Sequence, residues 1–127
     1  KNDFSTFAKK ELNSSILERD KRLTFSREDW QKCADFGVLG IAVSNEYGGR
    51  EEKLDLLSST LAMEGLGYSC RDNGLPFAIS AQMWTVQLPV DQFGTEAQKQ
   101  KFLPDLVSAR LHSRAHESRY NQGLQEA

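Results

Sequence analysis

Side chains that lose little rotamer freedom in a helix dominate this chain. Ala, Leu, Glu, Gln, Lys, Arg and Met fill 61 of its 127 positions, against 13 for Val, Ile and Thr together. β-branched side chains are crowded at χ1 in a helix and suit strands, so a chain this poor in them has little from which to build a sheet. The expected fold is all-α. A chain of 127 residues supports one small domain with its own core. A net charge of −2 excludes a strongly basic nucleic-acid binder. No run of 18 apolar residues is present, so no membrane span and no membrane partner are expected. The opening Lys1-Asn2-Asp3-Phe4 has no apolar core of a secretory signal. Cys33 and Cys70 form neither a CxxC pair nor a disulfide framework; they read as two reduced thiols, which suits a cytoplasmic protein.

Periodicity places the helices. Phe4, Phe7, Ala8, Leu12 and Ile16 predict an amphipathic helix from about 3 to 18, with the charge run 18–22 as its solvated end or a linker. Ser26 is an N-cap candidate, followed by Glu28 and Asp29 at the positive helix end. Trp30, Cys33, Ala34 and Phe36 then form a buried stripe, and Gly37 is placed to stop the helix in a left-handed conformation. The apolar 38–43 segment reads as a buried turn and 44–50 as a loop. Leu54, Leu57, Leu61 and Ala62 predict a helix ending near Gly65-Leu66-Gly67, and Asp72-Asn73-Gly74 predicts a turn. Pro76 suits a first helical turn. From Phe77 to Val90 the pattern is apolar nearly all round, so this helix is buried in something larger or faces a partner or ligand, and Pro89 should bend or end it. Thr95 and Gln98 have capping-box spacing ahead of Phe102, Leu103 and Leu106. The division expected is a helical domain over 1–110 and an atypical tail over 111–127.

Few residues offer chemistry of their own. Tyr47-Gly48-Gly49 lacks the Gly-Lys-Ser/Thr of a phosphate loop and reads as a structural turn. His112 and His116 share a helical face beside Glu117, but this is not HExxH and no third ligand is evident, so no metal site is expected. Arg110, Arg114 and Arg119 read as a solvated basic face. Asp91, Glu96 and Asp105 read as cap or surface residues rather than a carboxylate pair, and no catalytic residue is assigned.

Three segments in order carry a resemblance: Asp35-Phe36-Gly37-Val38-Leu39-Gly40-Ile41 leading to Glu46-Tyr47-Gly48-Gly49; the Gln82-to-Val90 helix with Pro89; and Phe93-Gly94-Thr95-Glu96 through Gln98-Lys99 to Phe102-Leu103-Pro104. This set resembles the N-terminal helical domain of the acyl-CoA dehydrogenase family over roughly residues 25 to 110, and the resemblance implies a compact orthogonal helical bundle. Arg71-Asp72-Asn73-Gly74 with Ala81-Gln82-Met83-Trp84 looks closest to bacterial biosynthetic members, some of which take acyl groups tethered to a carrier protein.

The resemblance implies an FAD-dependent oxidoreductase that desaturates an acyl thioester, of coenzyme A or a carrier protein, and passes hydride to the flavin and on to an electron acceptor. It implies a homo-oligomer, and a β domain and C-terminal bundle that hold the FAD and the catalytic glutamate. Leu111 onward matches none of the family's β-domain opening, and Ala109 stands where many relatives carry glycine. A fragment, a truncated product and an assembly of joined pieces all remain open, and the chain alone is expected to bind no flavin and to be inactive. In the family the helix matching Phe77 to Pro89 helps line the acyl pocket, which would make Phe77, Ala78, Ala81, Gln82 and Thr85 pocket-lining residues. The alternative is plain packing, with Gln82 either satisfying a buried partner or facing the missing β domain. A helical interaction module that works by binding is the reading from another functional class.

Overall fold

The computed structural model describes residues 2–50 and 55–111. The expectations for His112, Arg114, His116, Glu117 and Arg119 lie outside them. Among the described residues, seven α-helices follow in chain order: α1 (Asn2–Glu11), α2 (Ile16–Arg22), α3 (Arg27–Asp35), α4 (Leu56–Ser69), α5 (Gly74–Gln82), α6 (Leu88–Phe93) and α7 (Glu96–Val107). Short 3₁₀ turns at Val38–Gly40 and Asn45–Tyr47 lie between α3 and α4, and a π-turn at Met83–Gln87 joins α5 to α6. No strand occurs among the described residues. The all-α expectation holds.

The helices close around one main core. Leu12, Leu39, Leu66, Ile79 and Met83 are fully buried there with Cys33 and Val38. A smaller cluster of Val43, Tyr47 and Leu103 sits under α7. Several local signals act as the sequence suggests. The Ser26 hydroxyl accepts the Asp29 amide at 3.1 Å. Gly37 ends α3 at φ +85°. Thr95 and Gln98 close both halves of the capping box, and Asp72 caps the turn before α5 by accepting from the Gly74 and Leu75 amides.

Four expectations need correction. The first helix does not run to residue 18. Asn13 leaves it to bridge to the far end of α4, donating to the Ser69 carbonyl and accepting the Arg71 amide. Such side-chain bonding competes with helix continuation, and the chain re-enters α2 through Ser15 at φ +54°. The charge run 18–22, by contrast, is the solvated end of a helix as expected, that of α2, with Arg19 alone pinned between Asp29 and Asp72. α4 does not end at Gly65-Leu66-Gly67 but continues to Ser69. Burial of Ala62, Leu66 and Ser69 outweighs the roughly 1 kcal/mol that each glycine costs a helix. The buried face of α4 is also only partly the expected one: Ala62 is buried as expected, with Ser59, Gly65, Leu66 and Ser69, whereas Leu57 is 67% exposed, Leu61 is exposed too, and Leu54 lies outside the described residues. The small residues of the buried face let α1 approach α4 closely, as the Ser5–Ser69 hydroxyl contact shows. Finally, of the bend or end expected at Pro89, the end does not occur: after the π-turn, α6 continues to Phe93.

Ala109 closes α7 at φ +64°, with the Leu111 amide donating to the Asp105 carbonyl. A Cβ is strained there and glycine is not, so Ala109→Gly is expected to raise stability by about 0.5–1 kcal/mol, read as a higher urea midpoint at unchanged slope.

Candidate functional site

α5 presents its apolar sequence on two sides. Leu75, Ile79 and Met83 point into the core. Phe77 is 59% exposed, Thr85 is exposed and Ala81 is half-buried on the open side of α5 and its π-turn, while half-buried Ala78 packs against the main core. Gln82 is turned away from that side. It is buried and its Nε2 donates to the Leu106 carbonyl at 3.2 Å, tying α5 to α7. Sequence reading missed its counterpart, Gln87, also buried, whose Nε2 donates to the Leu39 carbonyl at 2.8 Å. The available signal was the one used for Gln82, a polar side chain interrupting an apolar run. Together the two amides hold the open face in a fixed orientation over the core.

The Tyr47-Gly48-Gly49 turn is buttressed rather than open. The Tyr47 hydroxyl donates to both oxygens of Glu96, at 3.0 and 2.8 Å, and the Ser44 hydroxyl donates to buried Asp91 at 3.1 Å. Asp91 and Glu96 thus bond to this turn, while Asp105 lies 3.5 Å from exposed Arg110. The hydrogen bond to Glu96 holds the Tyr47 proton, and its pKa is pushed up to about 12. The backbone amides of Gly48, Gly49 and Arg50 donate to the Asn45, Ser44 and Gly40 carbonyls. With those N–H groups committed, the turn has none to offer a phosphate.

Cys33 and Cys70 are buried and free. Desolvation, reinforced by Cys70 and Asp29, raises the Cys33 thiol from 9.0 to about 12; burial raises Cys70 as well. The folded chain therefore keeps a proton that the unfolded chain releases. That contribution to stability is complete below pH 9 and is lost as pH rises from 9 towards 12. The urea midpoint is expected to fall between pH 8 and pH 10.5, roughly, and the fall is expected to be shallower in Cys33→Ala.

Depressions on the described surface include two near α1. One, of about 240 Å³, is lined by Phe4, Ile41, Arg50, Asp55, Ser58 and neighbours on α4, below the roughly 300–1,000 Å³ of ordinary ligand pockets. The other is an open groove of about 770 Å³ beside α1 and α3. Two of its cations are already occupied, Lys10 with Glu11 and Lys32 with Glu28 and Asp29. No group of three His, Cys, Asp or Glu able to hold a metal occurs among the described residues.

Comparison with known proteins gives this arrangement a context. The family model for the acyl-CoA dehydrogenase N-terminal domain matches residues 1–110. An L-prolyl-[peptidyl-carrier protein] dehydrogenase from Serratia sp. is 34% identical over 105 residues, which are 83% of this chain and 27% of that protein. The crystal structure of the prolyl acyl carrier protein oxidase AnaB superposes with a TM-score of 0.81 and 44% identity, over 87% of this chain and 29% of that one. The structure of PigA with FAD and proline superposes with a TM-score of 0.79 and 33% identity, over 87% and 28%. The chain thus spans between a quarter and a third of the length of these relatives. Sequence and helix arrangement agree, and the chain belongs to the acyl-CoA dehydrogenase family, whose N-terminal helical domain it carries.

Proposed function

We propose that this chain forms the acyl-side wall of an FAD-dependent dehydrogenase whose substrate is an acyl thioester on a carrier protein. One observation carries the reading: the 44% identity to a prolyl acyl carrier protein oxidase, maintained over 87% of the chain. The open face of α5 suits the role. Ala81 leaves room beside the exposed Phe77 ring, which bounds the space, Ala78 backs the face against the core, and Thr85 continues the face along the π-turn. Gln82 acts from beneath, fixing the helix to α7 through the Leu106 carbonyl. The residues described here shape the site and exclude water from one side of it. FAD, the general base, the electron-acceptor contact and a homo-oligomeric interface belong, in this proposal, to family parts other than these residues, and the setting is cytoplasmic. A coenzyme A thioester is the second substrate form, favoured by the family to which the matching model belongs.

The test is a graft. Residues 2–111 replace the matching segment of the prolyl acyl carrier protein oxidase, and turnover of its thioester is followed with an artificial electron acceptor. The graft is expected to retain activity within about tenfold of the parent, and Ala81→Phe within it to lose about a hundredfold in kcat/KM by filling the acyl space. A folded, flavin-loaded graft that is inactive, or one indifferent to Ala81→Phe, would refute the wall. The chain alone is expected to show no flavin absorbance.

A further inference from the structure

The first turn of α5, which leads into the candidate face, is held from outside its own helix. Its N-cap residue Asn73 makes no side-chain cap bond, and the helix opens on glycine, so the turn has little stability of its own. Its leading amides are nevertheless accounted for. Those of Gly74 and Leu75 donate to Asp72 Oδ1, at 2.9 and 3.3 Å. Pro76 has no N–H, and the Phe77 amide donates to the Asn73 carbonyl at 3.2 Å. The second oxygen of the same carboxylate, Asp72 Oδ2, accepts from Arg19 at 3.2 Å. The other amino group of Arg19 donates to Asp29 Oδ2 at 2.6 Å, and Asp29 is buried on α3. α2 buries no residue, so the two carboxylates, rather than packing of its own helix, place the guanidinium. One planar fork thus refers the cap of α5 to a fixed point in the core.

We infer that Arg19 and Asp72 are positioning residues for the candidate face: anchored by Arg19, the Asp72 carboxylate fixes where the first turn of α5 begins, and so where Phe77 stands beside the acyl space. The inference rests on the acyl-wall reading above. Phe77 lies in that first turn, and its ring is 59% exposed, so its position follows the backbone more than packing. A carboxylate that caps a helix without an anchor swings about its own χ angles. One clamped at its second oxygen is confined, and the amides it serves are confined with it. A displacement of about 1 Å in a residue that borders a substrate is enough to change how the substrate is held.

Two variants remove the anchor and keep the cap. Asp72→Asn retains an acceptor oxygen for the Gly74 and Leu75 amides but turns an NH2 group, not a carboxylate oxygen, towards Arg19. Arg19→Met with Asp29→Leu leaves the Asp72 carboxylate without its guanidinium and refills the buried pair with apolar side chains, which preserves the fold. In the 127-residue chain, amide exchange read by NMR is expected to quicken about fivefold at Gly74, Leu75 and Phe77 in both variants, with a smaller change at buried Leu66. In the flavin-loaded oxidase graft, both variants are expected to lower kcat/KM about fivefold, mainly through KM. A role confined to stability predicts neither effect once the fold is kept. Unchanged exchange at Phe77 in both variants, or an unchanged KM, overturns the inference, while Ala81→Phe still reads out the wall. Indifference of the graft to Ala81→Phe refutes the wall itself and removes the inference with it.

Discussion

Gly49→Ala is expected to cost at least about 3 kcal/mol or to abolish folding. A Cβ built on Gly49 runs into the carbonyl of Val43 and lies 2.9 Å from the carbonyl oxygen of Ser44. Both obstacles are backbone, so no rotamer change relieves them, and the Gly49 amide itself donates to Ser44. Gly48 supplies the control. It sits at φ +90° with only Val107 Cγ1 near a new Cβ, at 3.8 Å, so Gly48→Ala pays conformational strain alone, about 1–2 kcal/mol. Urea unfolding of the two variants, followed by circular dichroism, separates collision from strain. Equal losses would show that the turn relaxes around Gly49.

Arg19→Ala is expected to be nearly as damaging, at about 3 kcal/mol. The Arg19 guanidinium lies 2.6 Å from Asp29 and 3.2 Å from Asp72, joining α2, α3 and the turn before α5. Asp29 is only 1% exposed. Truncating Arg19 leaves a buried carboxylate with Lys32 at 3.3 Å as its remaining ion-pair partner, and an abandoned buried charge costs more than the intact pair contributes. The double variant Arg19→Met, Asp29→Leu is therefore expected to recover most of the loss, because the Ser26 cap uses only the backbone amide of residue 29. Chemical denaturation of the single and double variants measures the difference. No recovery in the double variant would mean that the ion pair itself, rather than the uncompensated charge, stabilises the domain.

These two positions show what the sequence could and could not reveal. Gly37, Ser26, the Thr95–Gln98 capping box and the Asp72 turn were legible because each signal is local: the residue and the backbone group it serves are within three positions of one another. Arg19 was not, since its partners lie 10 and 53 positions away and a mixed charge run looks the same whether it is solvated or pinned. The break at Asn13 and the passage of α4 through two glycines failed for the same reason, because the deciding contacts join α1 to the far end of α4. On the candidate face, periodicity isolated the apolar α5 sequence, and the resemblance supplied its family role. Periodicity could not foresee the π-turn, because it assumes a constant angular step along the helix.

The pairing of α1 with α4 has a consequence for how the chain is made. The contacts that seat α1 join residues 56 to 64 positions apart. A ribosome therefore releases α1, with Phe4, Phe7, Ala8 and Leu12 along one side, long before the surface that covers it exists. Closing so long a loop is slow beside forming the α5–α6 rod, whose contacts are between neighbours. During that delay the nascent segment is the natural client for a chaperone, and its amides are expected to be the last to gain protection in pulsed hydrogen exchange.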